Sequence, residues 1–235
     1  MPMEIDRTYT RKGGATPAEK DDHVEAEGAG ALVCRLAGIG DQWDSLKAKL
    51  GDRLSENRYI HSQLVADTAV AMGRAFGGDL VKLALAGLLH DGAKELGNEK
   101  LLAIGEAEGL ITDLAEKENP YLLHGPVGAW MAQSEWEITD SIILEAIRLH
   151  TTGEAGMSKE ACIVFMADLI EPKRAYRGVE VLRQLCREDL QAGMIEAITQ
   201  TYTYLARGNR PLHQGMARCL AWLKEERGIE WKVKN

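Results

Sequence analysis

Four histidines and two aspartates carry the residue chemistry of this chain: His61, the adjacent pair His90-Asp91, His124, His150 and Asp168. Imidazole nitrogen and carboxylate oxygen together suit iron, manganese, zinc and similar divalent ions. Asp168 is the most telling of them. It lies within Cys162-Ile163-Val164-Phe165-Met166-Ala167-Asp168-Leu169-Ile170, and an ionised carboxylate in so apolar a run is heavily penalised unless a cation or several donors meet it. One histidine near an apolar face is more often a hydrogen-bonded core residue than a ligand, so the weight falls on the ordered set. The chain's four cysteines, Cys34, Cys162, Cys186 and Cys219, are scattered without a CxxC pair. They read as reduced thiols, and a metal site without them is open to water, as catalytic sites are.

The intervals 61 to 90, 91 to 124, 124 to 150 and 150 to 168 are each long enough for one helix and its connection. Helical punctuation supports that spacing. Asp41 is placed to cap a helix through Trp43, Leu46, Leu50 and Leu54, and Leu64, Val65, Ala69 and Met72 recur until Gly77-Gly78. Asp79 caps the run Leu80 to Leu89, Asn98 a short helix, and Pro126 sits in a first turn ahead of Val127, Trp130 and Met131. Asp140 and Ser158 open two more helices, Pro172 ends the second, and amphipathic stretches follow around 194–205 and 216–223. With no period-two alternation and no hairpin dipeptide, the expected fold class is all-α, and a helical bundle can bring side chains from several helices to one interior point. Trp130, Trp136, Trp222, Met72, Met131 and Met166 fit packing roles, and Glu171-Pro172 reads as a helix stop.

Across 235 residues, 36 Asp and Glu outweigh 28 Lys and Arg, for a formal net charge of −8. Such a chain lacks the broad positive field that nucleic acids and anionic membranes require. The N-terminus has neither a basic nor an apolar leader region, and the run Leu80 to Leu89, broken by Lys82, is too short to span a bilayer. A cytoplasmic protein is expected, binding neither nucleic acid nor membrane, with a homodimer as an admissible assembly. Residues 1–40 are rich in glycine and poor in periodic apolar residues, so they are expected to form a flexible or poorly packed extension with His23 solvated. The expected domain is 41–228, followed by a short tail, 229–235.

Five motifs in order, Arg58-Tyr59-Ile60-His61, Leu88-Leu89-His90-Asp91-Gly92-Ala93-Lys94, Leu123-His124-Gly125-Pro126, Leu149-His150-Thr151-Thr152-Gly153 and Ala167-Asp168-Leu169-Ile170-Glu171-Pro172-Lys173-Arg174, resemble the HD-domain metal-dependent phosphohydrolases. Within them the pattern is most similar to the bacterial YqeK-type symmetrical bis(5′-nucleosyl)-tetraphosphatases, over roughly residues 45 to 225. The resemblance implies an HD-domain helical bundle with an interior metal site that hydrolyses diadenosine tetraphosphate to two ADP by attack of a metal-activated water on phosphorus. It also implies a divalent or trivalent metal, iron foremost, as one ion or two.

Carried over by motif, His61, His90, Asp91 and Asp168 bind metal, and Asp91, His90 and Lys94 serve catalysis. Arg58, the segment Asp91-Gly92-Ala93-Lys94, His124, His150, Arg174 and the loop residues Leu212 and His213 hold the nucleotide. His124 and His150 are alternatively ligands of a second metal, and the 210–213 segment is alternatively a simple inter-helix turn. The physical chemistry agrees: a polyphosphate resists attack until its charge is offset, which a metal, Arg58, Lys94 and Arg174 would do at one point. Two other readings keep the HD centre but change its use: hydrolysis of a mono-, tri- or cyclic nucleotide, or nucleotide sensing without catalysis.

Overall fold

The computed structural model describes residues 27–208 and 211–225. Within them twelve α-helices and one 3-10 turn follow in the order α1 (Ala29–Leu36), α2 (Gly40–Gly51), α3 (Glu56–Phe76), α4 (Leu80–Leu89), α5 (Asn98–Ala107), α6 (Leu114–Glu118), the 3-10 turn Pro120–Leu123, α7 (His124–Trp136), α8 (Ser141–Leu149), α9 (Lys159–Ile170), α10 (Val179–Glu188), α11 (Leu190–Arg207) and α12 (Gln214–Glu225). No strand occurs among the described residues, so the all-α expectation holds.

Helix α4 is the axis of the bundle. Every residue from Leu83 to Leu89 is buried, as expected of a helix apolar on all sides, and α1, α3, α8 and α9 surround it. Asp79 starts it by accepting hydrogen bonds from the Val81 and Lys82 N–H groups at 3.0 and 3.1 Å. Ahead of it, Gly77 ends α3 with φ +78°, a conformation that suits glycine. The α3–α4 contact is the most extensive among the described helices, and Gly87 makes it close: a Cβ there would lie 2.7 Å from Ala66 Cα. Asp140 caps α8 through the Ile142 and Ile143 N–H groups, and Ser158 caps α9 through the Ala161 N–H.

Three expectations are corrected. Packed structure begins before residue 41: α1 buries Ala31, Val33 and Cys34 against the bundle, and its Gly30 N–H donates to Asp67 Oδ1 at 2.8 Å. Three apolar side chains, Ala31, Val33 and Cys34, suffice because α3 and α4 supply the surface that receives them, while Leu32 stays exposed. Asp41 and Asn98 lie inside α2 and α5 and cap neither, since Ile39 and Gly97 hold the flanking positions. Helix α10 was not anticipated; it buries only Val179, Leu182 and Cys186, spaced at three and four residues among charged ones. His23, Arg210 and residues 226–235 lie outside the described residues.

Candidate metal centre

Three histidines stand at ends of helical turns, and each is held the same way. His90 caps α4 and sets Nδ1 2.7 Å from Gly87 O, His150 caps α8 with Nδ1 2.7 Å from Ile147 O, and His124 follows the 3-10 turn with Nδ1 2.6 Å from Tyr121 O. A carbonyl can only accept, so each Nδ1 carries the proton and each Nε2 presents a lone pair. Those lone pairs converge: His124 Nε2 lies 2.9 Å from His150 Nε2, and His90 Nε2 lies 3.5 Å from Asp91 Oδ1. Two lone pairs at such a separation need a cation, and the Lys94 ammonium meets His124 Nε2 at 2.8 Å. Burial pushes His90 down to about 3, and burial, then Lys94 and His150, hold His124 well below the ordinary imidazole value. Both rings are therefore neutral at pH 7, as metal ligands must be.

His61 approaches from α3 and is held differently. Its Nδ1 lies 3.1 Å from Glu171 Oε1, and its Nε2 2.9 Å from Asp168 Oδ1 and 3.8 Å from Asp91 Oδ2. Burial opposes charge on this ring, but the hydrogen bonds to Asp168 and Glu171 outweigh it and lift His61 above its ordinary value. Burial likewise opposes charge on Asp91 and Asp168, yet Lys94 above all for Asp91, and Arg174 with the His61 hydrogen bond for Asp168, hold both carboxyls well below the carboxylate range. Both aspartates stay ionised.

Two overlapping sets, His61, His90 and Asp168, and His90, Asp91 and His150, place their ligand atoms within 4.8 Å of one another. His90 Nε2 and Asp91 Oδ1 are buried with no hydrogen-bond partner. A buried lone pair without a hydrogen bond beside a carboxylate oxygen met only by the Lys94 charge, in a site without thiols, is a donor set that fits a divalent or trivalent ion. Cations ring it. Arg58 Nη1 lies 3.1 Å from Asp91 Oδ2, Lys94 Nζ 3.2 Å from Asp91 Oδ1 and 4.9 Å from the centre of the Tyr121 ring, and Arg174 hydrogen-bonds the Asp168 side chain and, at 2.7 Å, its carbonyl. Three carboxylates, Asp91, Asp168 and Glu171, thus face three permanent cations.

The remaining candidates fare unequally. Ala93 is buried, and Gly92 leaves room for Trp136, whose Cη2 would lie 2.5 Å from an added Cβ. Leu212 packs against the core. His213 has both nitrogens engaged: Nδ1 accepts the Gly215 N–H at 3.0 Å and Nε2 lies 3.3 Å from Glu116 Oε1. Through these contacts His213 ties α6 to the start of α12. Sequence reasoning passed over three residues. Thr151 Oγ1 lies 3.0 Å from His124 Nε2, Tyr121 supplies both a carbonyl and a ring, and Glu171, read as a helix stop, backs His61. Its position three residues after Asp168 placed it near the same face, the one available signal.

Comparison with known proteins agrees with this geometry. A model of the HD domain matches residues 58–173, the span from Arg58 to Lys173. The symmetrical bis(5′-nucleosyl)-tetraphosphatase of Bacillus subtilis (strain 168) is 37% identical over 171 residues, 73% of this chain and 91% of that protein. The protein of the same name from Halalkalibacterium halodurans is 36% identical over 160 residues, 68% of this chain and 85% of that one. A solved structure of a predicted HD superfamily hydrolase involved in NAD metabolism from Clostridium acetobutylicum superposes with a TM-score of 0.76 at 36% identity, covering 78% of this chain and 97% of that chain. Identity at this level over nearly the whole of each relative leaves one reading: the chain belongs to the metal-dependent HD-domain family that includes these symmetrical bis(5′-nucleosyl)-tetraphosphatases.

Proposed function

We propose that the protein hydrolyses diadenosine tetraphosphate and related dinucleoside tetraphosphates symmetrically, one water and one substrate giving two ADP, with iron as its metal. The carrying observation is the buried pair His90 Nε2 and Asp91 Oδ1, neither with a hydrogen bond, inside a ring of three cations. His61, His90, Asp91 and Asp168 would hold the metal, with His150 and His124 beside it for the phosphates. When bound, the metal supplies Lewis acidity towards phosphoryl oxygen and lowers the pKa of water, towards about 7 in favourable sites.

The protein's own groups do the rest. Asp91 and Asp168 stay ionised and fixed, so no reorganisation is needed as charge develops. The side chains of Arg58 and Arg174 are 29% and 31% exposed, against 1% for Asp91, so both can turn from the carboxylates to a polyphosphate arriving from solvent. Arg174 offers a bidentate fork and Lys94 a point charge to the ADP that departs. The His124 and His150 rings, locked by the Tyr121 and Ile147 carbonyls, form the inner wall. Family membership supports the substrate, since the two relatives matched above carry that activity in their names. No described helix is long and apolar enough to cross a membrane. The four free, buried cysteines support a cytoplasmic enzyme acting on a free nucleotide.

Incubation of the iron-reconstituted protein with diadenosine tetraphosphate, followed by separation of the nucleotides, is expected to give ADP alone. ATP with AMP would overturn symmetrical cleavage. No turnover with iron, manganese or cobalt would overturn the enzyme reading.

A further inference from the structure

Four imidazoles face the centre, and three lean on neutral backbone carbonyls. Only His61 leans on a carboxylate, and that carboxylate is itself built in. Glu171 is 2% exposed; its Oε1 meets His61 Nδ1 at 3.1 Å and its Oε2 accepts the Lys173 N–H at 2.6 Å. Its backbone is pinned as well. Arg183, from α10, donates to Ile170 O at 3.0 Å, Glu171 O at 2.7 Å and Arg174 O at 2.8 Å, which satisfies carbonyls freed where α9 ends. One corner thus fixes Asp168, Glu171 and Arg174 together.

We propose that Glu171 is a positioning residue of the metal centre: it holds His61 with Nδ1 as donor and Nε2 towards the metal, and makes His61 the strongest imidazole donor of the four. This rests on the metal centre of the preceding reading. A carboxylate behind a ligating imidazole orients the ring, fixes the tautomer and raises its basicity. A carbonyl does the first two and little of the third. The amide of Glu171→Gln cannot serve both neighbours, since it has one acceptor and both His61 Nδ1–H and the Lys173 N–H donate. Either one donor is orphaned, or His61 turns to the tautomer whose proton sits on Nε2, facing the metal.

The molecule contains its own control. Glu116 is also 2% exposed, lies 3.3 Å from His213 Nε2, and accepts the Thr112 and Asp113 N–H groups at 2.6 and 2.9 Å. Glu116→Gln therefore imposes a similar loss on a similar buried pair that has no part in the centre.

The test is the cobalt(II) dissociation constant of the full chain, measured by chelator competition, together with the visible spectrum of the cobalt protein. Glu171→Gln is expected to weaken cobalt binding about 10- to 100-fold and to shift the visible bands, while Glu116→Gln leaves both as in the unaltered protein. Equal cobalt affinity and spectrum in Glu171→Gln would overturn the proposal, as would an equal loss in Glu116→Gln. Glu171→Asp keeps the charge on a shorter arm and is expected to fall between; if Glu171→Gln does not fold, unchanged affinity in Glu171→Asp overturns the proposal instead. Absence of cobalt binding by the unaltered chain is a different failure, that of the metal centre itself.

Discussion

The Nδ1-to-carbonyl hydrogen bond that recurs at His90, His124 and His150 spans three residues each time, to Gly87, Tyr121 and Ile147. A histidine following a helical turn can reach a carbonyl that the turn leaves free, so the ring is locked by local geometry alone. That is why these three were legible in the sequence: residue type and helix end together define the device. Asp91 depends on its neighbours instead, meeting Arg58 through Oδ2, and Lys94 and the histidines through Oδ1, which makes no hydrogen bond. Asp91→Asn keeps the volume and removes the charge. Turnover of dinucleoside tetraphosphate is expected to fall on the order of 10³-fold or more, with helical circular dichroism preserved. Activity within tenfold of the unaltered protein would contradict a central role for this carboxylate. Glu171 was hidden for a physical reason: the proline after it accounts for its position as a helix end, and only the fold brings it to His61, 110 residues away.

Positioning of the ligands rests on how closely α3 and α4 approach, since His61 lies on the first and His90 ends the second. Gly87 sets that distance. An added Cβ would meet Ala66 Cα at 2.7 Å and Ala66 N at 2.9 Å, and backbone atoms cannot rotate aside. Gly87→Ala is expected to cost about 1–3 kcal/mol of unfolding free energy in denaturant titration, as overpacking does, and to weaken metal binding by separating His61 from His90. A gain in stability, as for alanine in an open helix, would show that the helices are not in contact there. Capping residues marked the helices that carry the site, with Asp79, Asp140 and Ser158 each accepting N–H groups as their position in the sequence suggested. The sequence signal failed where helices depend on a partner. Helix α1 and helix α10 bury few side chains of their own, and a surface supplied by distant parts of the chain stabilises them. His213 belongs to the same class, because only the fold shows that Glu116 occupies it.

At the scale of the molecule, an acidic body of net charge −8 surrounds a centre in which Arg58, Lys94 and Arg174 balance Asp91, Asp168 and Glu171. Metal added to a balanced site leaves it positive, and it would join residues from α3, α9 and the end of α4. Binding to the native state alone should stabilise it by about 2.7 kcal/mol at a hundred times the dissociation constant, so chelation is expected to lower Tm by several degrees. A Tm indifferent to chelator would contradict a metal shared among these helices. The helix ends extend the argument. Helices α4 and α8 reach the centre with their C-termini, at His90 and His150, and so turn the negative ends of their dipoles towards it. Backbone polarity there favours a cation and disfavours phosphate. Nucleotide should accordingly bind in a fixed order, after the metal, and by linkage should tighten the metal by the same factor that the metal tightens the nucleotide. The enzyme would then discriminate by occupancy: chelated protein ignores tetraphosphates that the loaded form takes up, and it sequesters none when its metal is scarce.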